Sequence, residues 1–427
     1  MLTINNNYWK KRNVVEVNYA AWDFILGKCA LPEVYRNVYN AFPDKDHVGM
    51  YLGPKPILIL RNLEDIQSVL LNDFQSFHSR GYFVNSKEVL ADNLLLISDY
   101  CRWKLIRQKM SPVFTISKIK SMYQTIYRCA SDLKEYVRDK NVRKDPLRFL
   151  DKYNFVAIGM AIFGLDFSTS NTIETSIVDT ACSSANCQLV FTLKMLINNT
   201  FPKLFNFFNM NTFGDHKDLI MKIMKQVLNE RRKMPGKRHD YIDMCLEIQK
   251  EETILDKTTG FELRTTDEFI ATQAFSLFFA GVETSGTTLN FTLLELANNE
   301  SVLEKVHKEI DEAFANRDHL TYQDIEDLVY LDQVLNESLR KYPPIGSMQR
   351  VATQDTILPS NLRIEEGTVV IVPIYGLHMD NKYFENPDIF DPDRFSPDNK
   401  AEIQKYSYIP FGEGNRICIG KERIIVL

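Results

Sequence analysis

The chain has 427 residues, 44% of them hydrophobic and 25% charged, with a formal net charge of −5. This is ordinary globular composition, and the charge gives no reason to expect nucleic acid as a partner. The seven cysteines are scattered without a CxxC pair and the seven histidines form no HxxxH pair, which argues against a zinc site and for a reducing compartment.

No apolar run reaches the roughly 18 residues of a membrane-spanning helix. The chain opens on Tyr8-Trp9-Lys10-Lys11-Arg12-Asn13-Val14, for which a frayed polar terminus is the bland alternative. Two apolar runs, 47–52 and 56–60, flank Gly53-Pro54 and predict a hairpin. Helical spacing follows over 63–72. Residues 98–110 predict a basic helix with Trp103 and Arg107 on one face, beside Arg102, Lys104 and Lys109. Taken alone, that helix is a solvated charged one with a core tryptophan. Apolar periodicity predicts two more helices, 117–140 and 147–163.

The stretch 189–210 is apolar and aromatic but too broken to span a bilayer. It reads either as two short core helices or as a face dipping into a membrane interface, with Lys194 and Lys203 snorkelling. The basic run 231–239 reads as a solvated connection. Thr265-Thr266-Asp267-Glu268 predicts a capping box opening a helix that runs to Asn298, roughly 50 Å at 1.5 Å per residue. At its middle lies Ala280-Gly281-Val282-Glu283-Thr284-Ser285. Small residues there allow a close approach to the backbone, and Thr284 can turn its hydroxyl onto the Ala280 carbonyl. An acid beside an alcohol suits a proton relay, but a packing notch with a solvated Glu283 fits the same residues.

Thr321-Tyr322-Gln323-Asp324 caps a further helix, and another covers 330–342 before Pro343-Pro344 stops it. On it Glu337 and Arg340 are i,i+3 neighbours, a spacing that usually means an exposed pair. Residues 365–373 predict a hairpin turning at Glu366-Gly367. The last distinctive stretch is Phe411-Gly412-Glu413-Gly414-Asn415-Arg416-Ile417-Cys418-Ile419-Gly420. Its glycines let the backbone turn tightly against a flat ligand. Helix-capable residues follow Gly420, so Cys418 is expected at a loop-to-helix junction where the helix N-terminus favours thiolate. A lone cysteine is otherwise a small buried hydrophobe.

The spacing F-x-x-G-x-R-x-C-x-G resembles the haem-binding signature of cytochrome P450, the haem-thiolate monooxygenases. The other motifs occur in that family's order, and the resemblance covers the chain from Tyr8 onward, looking most like insect microsomal, xenobiotic-oxidising members. It implies a mainly α fold with small β-sheets and one haem-thiolate domain over 1–427. It implies haem b (iron protoporphyrin IX) ligated by Cys418, with Phe411, Gly414, Gly420, Ala280 and Gly281 against the cofactor and Trp103, Arg107, Arg350 and Arg416 on its propionates. Glu283 and Thr284 correspond to the oxygen-activating acid and alcohol. Glu337 and Arg340, with Arg394 of Pro392-Asp393-Arg394-Phe395, resemble a buried structural triad, Asp393 standing where Glu is usual. Residues 345–348 would line the substrate cavity.

The resemblance further implies a small lipophilic substrate, O2, and electrons from NADPH–cytochrome P450 reductase docking on Lys104, Lys109, Lys421 and Arg423. It implies peripheral membrane contact on the cytosolic face of the endoplasmic reticulum, and no nucleic acid. A haem-thiolate isomerase or dehydratase is the rival chemistry, and Glu283-Thr284 argues against it. Asn415 and Ile417 replace the commoner Pro and Asn, neither supplying a required atom. The Tyr8–Val14 stretch resembles the segment after a membrane anchor, and the chain ends nine residues beyond Cys418. The expectation is a chain incomplete at both ends and, alone, weak or haem-poor.

Overall fold

The computed structural model of the protein describes residues 7–17, 24, 27–53, 55–82, 88–137, 146–163, 194–195, 197–198, 200–211, 213, 217–233, 241–315 and 317–421. Helices dominate, those expected at 98–110, 117–140, 147–163 and 330–342 among them: α1 (Leu31–Ala41), α2 (Leu63–Gln67), α3 (Tyr100–Met110), α4 (Ile116–Val137), α5 (Pro146–Phe163), α6 (Pro202–Phe207), α7 (Lys217–Lys233), α8 (Tyr241–Gln249), α9 (Asp267–Asn298), α10 (Glu300–Phe314), α11 (Tyr322–Glu326), α12 (Val329–Lys341) and α13 (Ile374–His378). The strands are β1 (Glu16–Val17), β2 (His47–Leu52), β3 (Lys55–Leu60), β4 (Thr253–Leu255), β5 (Glu262–Arg264), β6 (Met348–Val351), β7 (Thr356–Ile357), β8 (Arg363–Ile364) and β9 (Val369–Val372). The chain forms two compact units, one from Met1–Gly81 and Thr287–Ile419, the other from Tyr82–Gly286 and the residues from Gly420 on.

In the first unit five strands form one sheet in the order β1-β2-β3-β9-β6. The predicted hairpin is β2 and β3, antiparallel with Val48 opposite Ile59. The central strands β3 and β9 run parallel, Leu58 opposite Val370, and β6 closes the far edge antiparallel to β9. Ile57–Leu60 and Val369–Val372 are buried at every position, so these strands read as unbroken apolar runs rather than alternating ones. The turn expected at Glu366-Gly367 is present, with Gly367 at φ +83°. It does not close a hairpin. The strand before it, β8, pairs with β7, and β9 after it is claimed by β3 and β6. An apolar strand buried on both faces goes to the sheet centre, whereas β8 carries the exposed Arg363.

Trp9 rules out the frayed-terminus alternative. It is fully buried, its Nε1 donates to the Met50 carbonyl at 3.1 Å, and its ring lies on Gly49. A Cβ at Gly49 would stand 2.3 Å from Trp9 Cγ, so only glycine admits the ring. Arg12 pairs with Glu365, to which Tyr8 also donates at 3.1 Å.

The second unit packs α5 against α9. Phe155 meets Phe278 edge-on, with centroids 4.9 Å apart, and Asn154 Nδ2 donates to the Val282 carbonyl. Phe213, Leu90, Ala91, Leu96 and Phe275 form a further cluster. Helix α9 has 32 residues, about 48 Å at the α-helical rise. Its cap differs from the expected box: Thr266 accepts the Phe269 amide at 3.1 Å, while Thr265 turns back to the Glu251 carbonyl.

The basic run at 231 is not simply solvated. Arg231 is buried against Asp243 at 2.7 Å and Arg232 pairs with Asp267, while 234–240 lie outside the described residues. In the stretch 189–210, residues 189–193, 196 and 199 lie outside the described residues. Phe205 of α6 is buried whereas Phe207 is 81% exposed, so this short helix packs one side and presents the other. Among the described residues no helix is long and apolar enough to cross a membrane.

The Glu337–Arg340 pair is not the exposed pair its spacing suggests by itself. Both side chains have no solvent exposure, with Nε and Nη2 of Arg340 each 2.7 Å from a Glu337 oxygen. Arg394 Nε lies 3.5 Å from the same carboxylate, completing the triad. Removing one partner strands a buried charge. Arg340→Met is therefore expected to cost about 3–5 kcal/mol, whereas Lys308→Ala, from an exposed pair with Glu312, is expected to cost under about 1 kcal/mol. Urea unfolding of the two variants checks this, and equal midpoints would contradict it.

Candidate functional site

The expected site residues fall into two sets, one around Cys418 and one on α9 and α3. The first set is built around Cys418. Its amide donates to the Phe411 carbonyl at 2.9 Å, and between them the Gly412 amide donates to Ile409 O and Ile417 to Gly414 O, each at 3.0 Å. These bonds fold the stretch into a tight loop with a single 3-10 turn, Gly414–Arg416, and leave the Cys418 side chain exposed. Gly412 and Gly414 are left-handed, at φ +71° and +73°. A Cβ on Gly414 would lie 2.0 Å from the carbonyl oxygen of Leu70, which is backbone and cannot yield. Gly420 has open space around it. The helix expected after Gly420 lies outside the described residues, as does Arg423.

Two guanidinium groups of this set are withdrawn from water. Arg350 on β6 is 1% exposed and Arg416 is 4% exposed. Arg350 Nη1 donates to the Gln349 carbonyl at 2.9 Å, while Arg350 Nε, Arg416 Nε and Arg416 Nη1 are buried atoms that donate no hydrogen bond.

The second set lies on α9 and α3. Thr284 Oγ1 donates to the Ala280 carbonyl at 2.7 Å, as its spacing predicts. Gly281 backs onto Ile158, and a Cβ there would stand 3.3 Å from its methyl group. From Ile270 to Ser276 the helix is buried throughout, but from Leu277 to Thr284 no residue is buried, and Glu283 is exposed. On α3, capped by Asp99 accepting the Arg102 amide at 2.6 Å, Trp103 is buried and Arg107 is half-buried one turn on. The basic surface expected on α3 is largely neutralised by neighbours. Lys104 lies 3.9 Å from Asp256, Lys109 lies 3.0 Å from Glu251, and Arg102 pairs with Asp92.

The residues present fit a haem. An exposed thiol on a glycine loop can reach an iron, and a thiolate is the softer ligand such a centre accepts. Buried guanidiniums suit propionate carboxylates. One residue bearing on the loop escaped the sequence reading. His378 is fully buried and accepts the Ile409 amide at Nε2, 3.0 Å away. Its only signal is a histidine closing an apolar run, which is more often a packed core residue.

A family model described as Cytochrome P450 matches residues 30–422. Among curated proteins the chain is 32% identical to Cytochrome P450 6B7 of Helicoverpa armigera, over 97% of this chain and 84% of that protein. It is 33% identical to Cytochrome P450 6B5 of Papilio glaucus, over 98% and 90%. With Cytochrome P450 6j1 of Blattella germanica it shares 32% identity over 98% and 84%.

The two loop glycines give a matched test. Gly414→Ala forces a side chain onto left-handed backbone and into Leu70 O, and is expected to cost about 1–3 kcal/mol. Measured on the haem-free protein, Gly420→Ala enters open space and is expected to stay within about 0.5 kcal/mol of the parent. Urea unfolding separates them, and equal costs would contradict this description of the loop.

Proposed function

The chain belongs to the cytochrome P450 family and is a haem-thiolate monooxygenase, and we propose the following assignment of its residues and partners. Cys418 supplies the thiolate. Trp103, Arg107, Arg350 and Arg416 hold the haem propionates, while Phe411, Gly414, Gly420, Ala280 and Gly281 lie against the macrocycle. The observation that carries this reading is the Cys418 loop, whose left-handed glycines and Phe411 bond present an exposed sulfur. Bound there, the haem would supply the oxygen-activating chemistry, one atom of O2 entering the substrate and the other leaving as water.

The chain's own residues hold and move protons. The Thr284 hydroxyl, which donates to the Ala280 carbonyl, can rotate to donate elsewhere without disturbing the backbone bonds of α9. Exposed Glu283 beside it can exchange protons with solvent and renew that hydroxyl's proton. This acid–alcohol pair favours oxygen insertion over the isomerase or dehydratase chemistry.

The substrate is a small lipophilic molecule, a xenobiotic or an endogenous lipophile, for which residues 345–348 form part of the cavity wall. Electrons come from NADPH through cytochrome P450 reductase. Lys104, Lys109 and Lys421 serve its docking, since exposed ion pairs such as Lys109–Glu251 are weak enough to exchange for a partner's carboxylates. The enzyme works on the cytosolic face of the endoplasmic reticulum membrane. Phe207 and Phe208, 81% and 63% exposed, support peripheral contact there.

Cys418→His is expected to move the reduced-CO absorption band from its long-wavelength, thiolate-type position to a shorter wavelength and to abolish turnover. An unmoved band would overturn the ligand assignment. Thr284→Ala is expected to keep haem and substrate binding, to lower product formation about a hundredfold, and to send the NADPH electrons to hydrogen peroxide instead. Product per NADPH is the measurement, and an unaltered ratio would reduce Thr284 to packing.

A further inference from the structure

His378 closes α13, with no solvent exposure. Its Nε2 lies 3.0 Å from the Ile409 amide nitrogen and its Nδ1 lies 3.2 Å from the Arg340 carbonyl oxygen. An amide N–H can only donate and a carbonyl can only accept. These partners therefore fix the neutral tautomer, with its proton on Nδ1. We propose that His378, in this tautomer, is a positioning residue for the loop that carries Cys418, fastening Ile409 at the root of that loop to helix α12. The inference rests on the assignment of Cys418 as the thiolate ligand.

The fastening is reciprocal at one end. The His378 ring donates to the Arg340 carbonyl, and the Arg340 guanidinium returns a bond from Nη1 to the His378 carbonyl at 2.9 Å. Arg340 is itself immobilised by its two bonds to Glu337. At the other end the bond leads straight into the loop. Ile409 receives the imidazole on its amide and offers its carbonyl to Gly412, and the Cys418 amide closes on the Phe411 carbonyl. Ile409 is 2% exposed, so its amide has no water to fall back on if the ring is removed.

The same geometry carries a chemical signature. A proton added to Nε2 would face the Ile409 N–H donor to donor and stand beside the Arg340 cation. Burial, then that cation, hold the imidazole pKa down at about 3. Tyr408, beside Ile409, has its ring centroid 5.1 Å from the imidazole, and Glu337 on α12 bonds the Arg340 guanidinium. Beyond His378, Asp380 accepts the Tyr39 hydroxyl from α1 and lies 3.9 Å from Arg61. Since the folded imidazole binds its proton more weakly than the ordinary value of about 6.5, the clamp is fully present above that value. It is lost as pH falls toward the folded value, and any transition that releases the ring takes up a proton.

The test uses the full haem-loaded protein and the reduced-CO spectrum, followed from neutral pH downward. The readout is the ratio of the thiolate-type band to the shorter-wavelength band. His378→Phe keeps a ring and removes both bonds; its ratio at neutral pH is expected to fall about tenfold, as an unmet buried donor implies. His378→Gln keeps one donor and one acceptor but cannot titrate. It is expected to keep the ratio, and its acid transition is expected to be shallower, taking up one proton fewer. A parental ratio in His378→Phe would overturn the proposal. So would a loss in His378→Gln as large as in His378→Phe, or an unchanged proton uptake in His378→Gln. Should His378→Phe fail to hold haem, the behaviour of His378→Gln decides. Cys418→Ser is run beside them. If it keeps the thiolate-type band the ligand assignment fails, whereas if it loses the band and His378→Phe does not, only the positioning role fails.

Discussion

A carboxylate and a guanidinium entirely withdrawn from water sit at the centre of the first unit, and the chain from His378 to Asp391 is arranged to satisfy them. Burying Glu337 and Arg340 costs several kcal/mol per ion before any bond forms. The offset comes from saturation. Beyond the bidentate pair, Arg340 donates to the carbonyls of His378 and Pro387 at 2.9 and 2.8 Å, and Glu337 accepts the Asp391 amide at 2.9 Å. Each of these bonds pins a different point of an irregular segment that has little regular structure to hold it. Tyr408 adds a bond to the Asn336 carbonyl on the same helix at 2.9 Å. The loop that follows inherits its place from α12.

The proposed chemistry rests on two kinds of backbone permission. In the Cys418 loop, left-handed glycines let the chain fold back so that Phe411 takes the Cys418 amide while the sulfur stays accessible. On α9, Ala280 and Gly281 thin the helix, and Thr284 parks its hydroxyl on a carbonyl that is already part of the helix. A bond of that kind bends helices slightly and costs little to release. The same feature that makes Thr284 a poor helix former leaves its proton available.

Much of this was legible in the sequence because local patterns decided it. The β2–β3 hairpin, the span of α9, the Thr321 cap and the Thr284 back-bond each depend on residues a few positions apart. What was missed depends on partners far along the chain. Nothing local says that β9 joins β3, some 300 positions earlier, in preference to the neighbouring β8. Lys104 and Lys109 look like a solvated basic face until Asp256 and Glu251 are placed against them. Trp9 looks like a polar terminus until Gly49 offers it a seat. The Glu337–Arg340 spacing alone is compatible with exposure or burial; the buried triad came from the resemblance, and the carbonyls of distant residues satisfy it. The family resemblance supplied the motif roles, while His378 carries no motif and came from geometry alone.

The central claim, that Cys418 and no other of the seven cysteines holds the iron, is tested most directly by resonance Raman spectroscopy of the haem-loaded protein grown on heavy-sulfur cysteine. The account expects an iron–sulfur stretching band that shifts with the isotope and disappears in Cys418→Ser while the other six cysteines remain. An isotope-sensitive band that survives that substitution, or a parent protein with no such band, would contradict it.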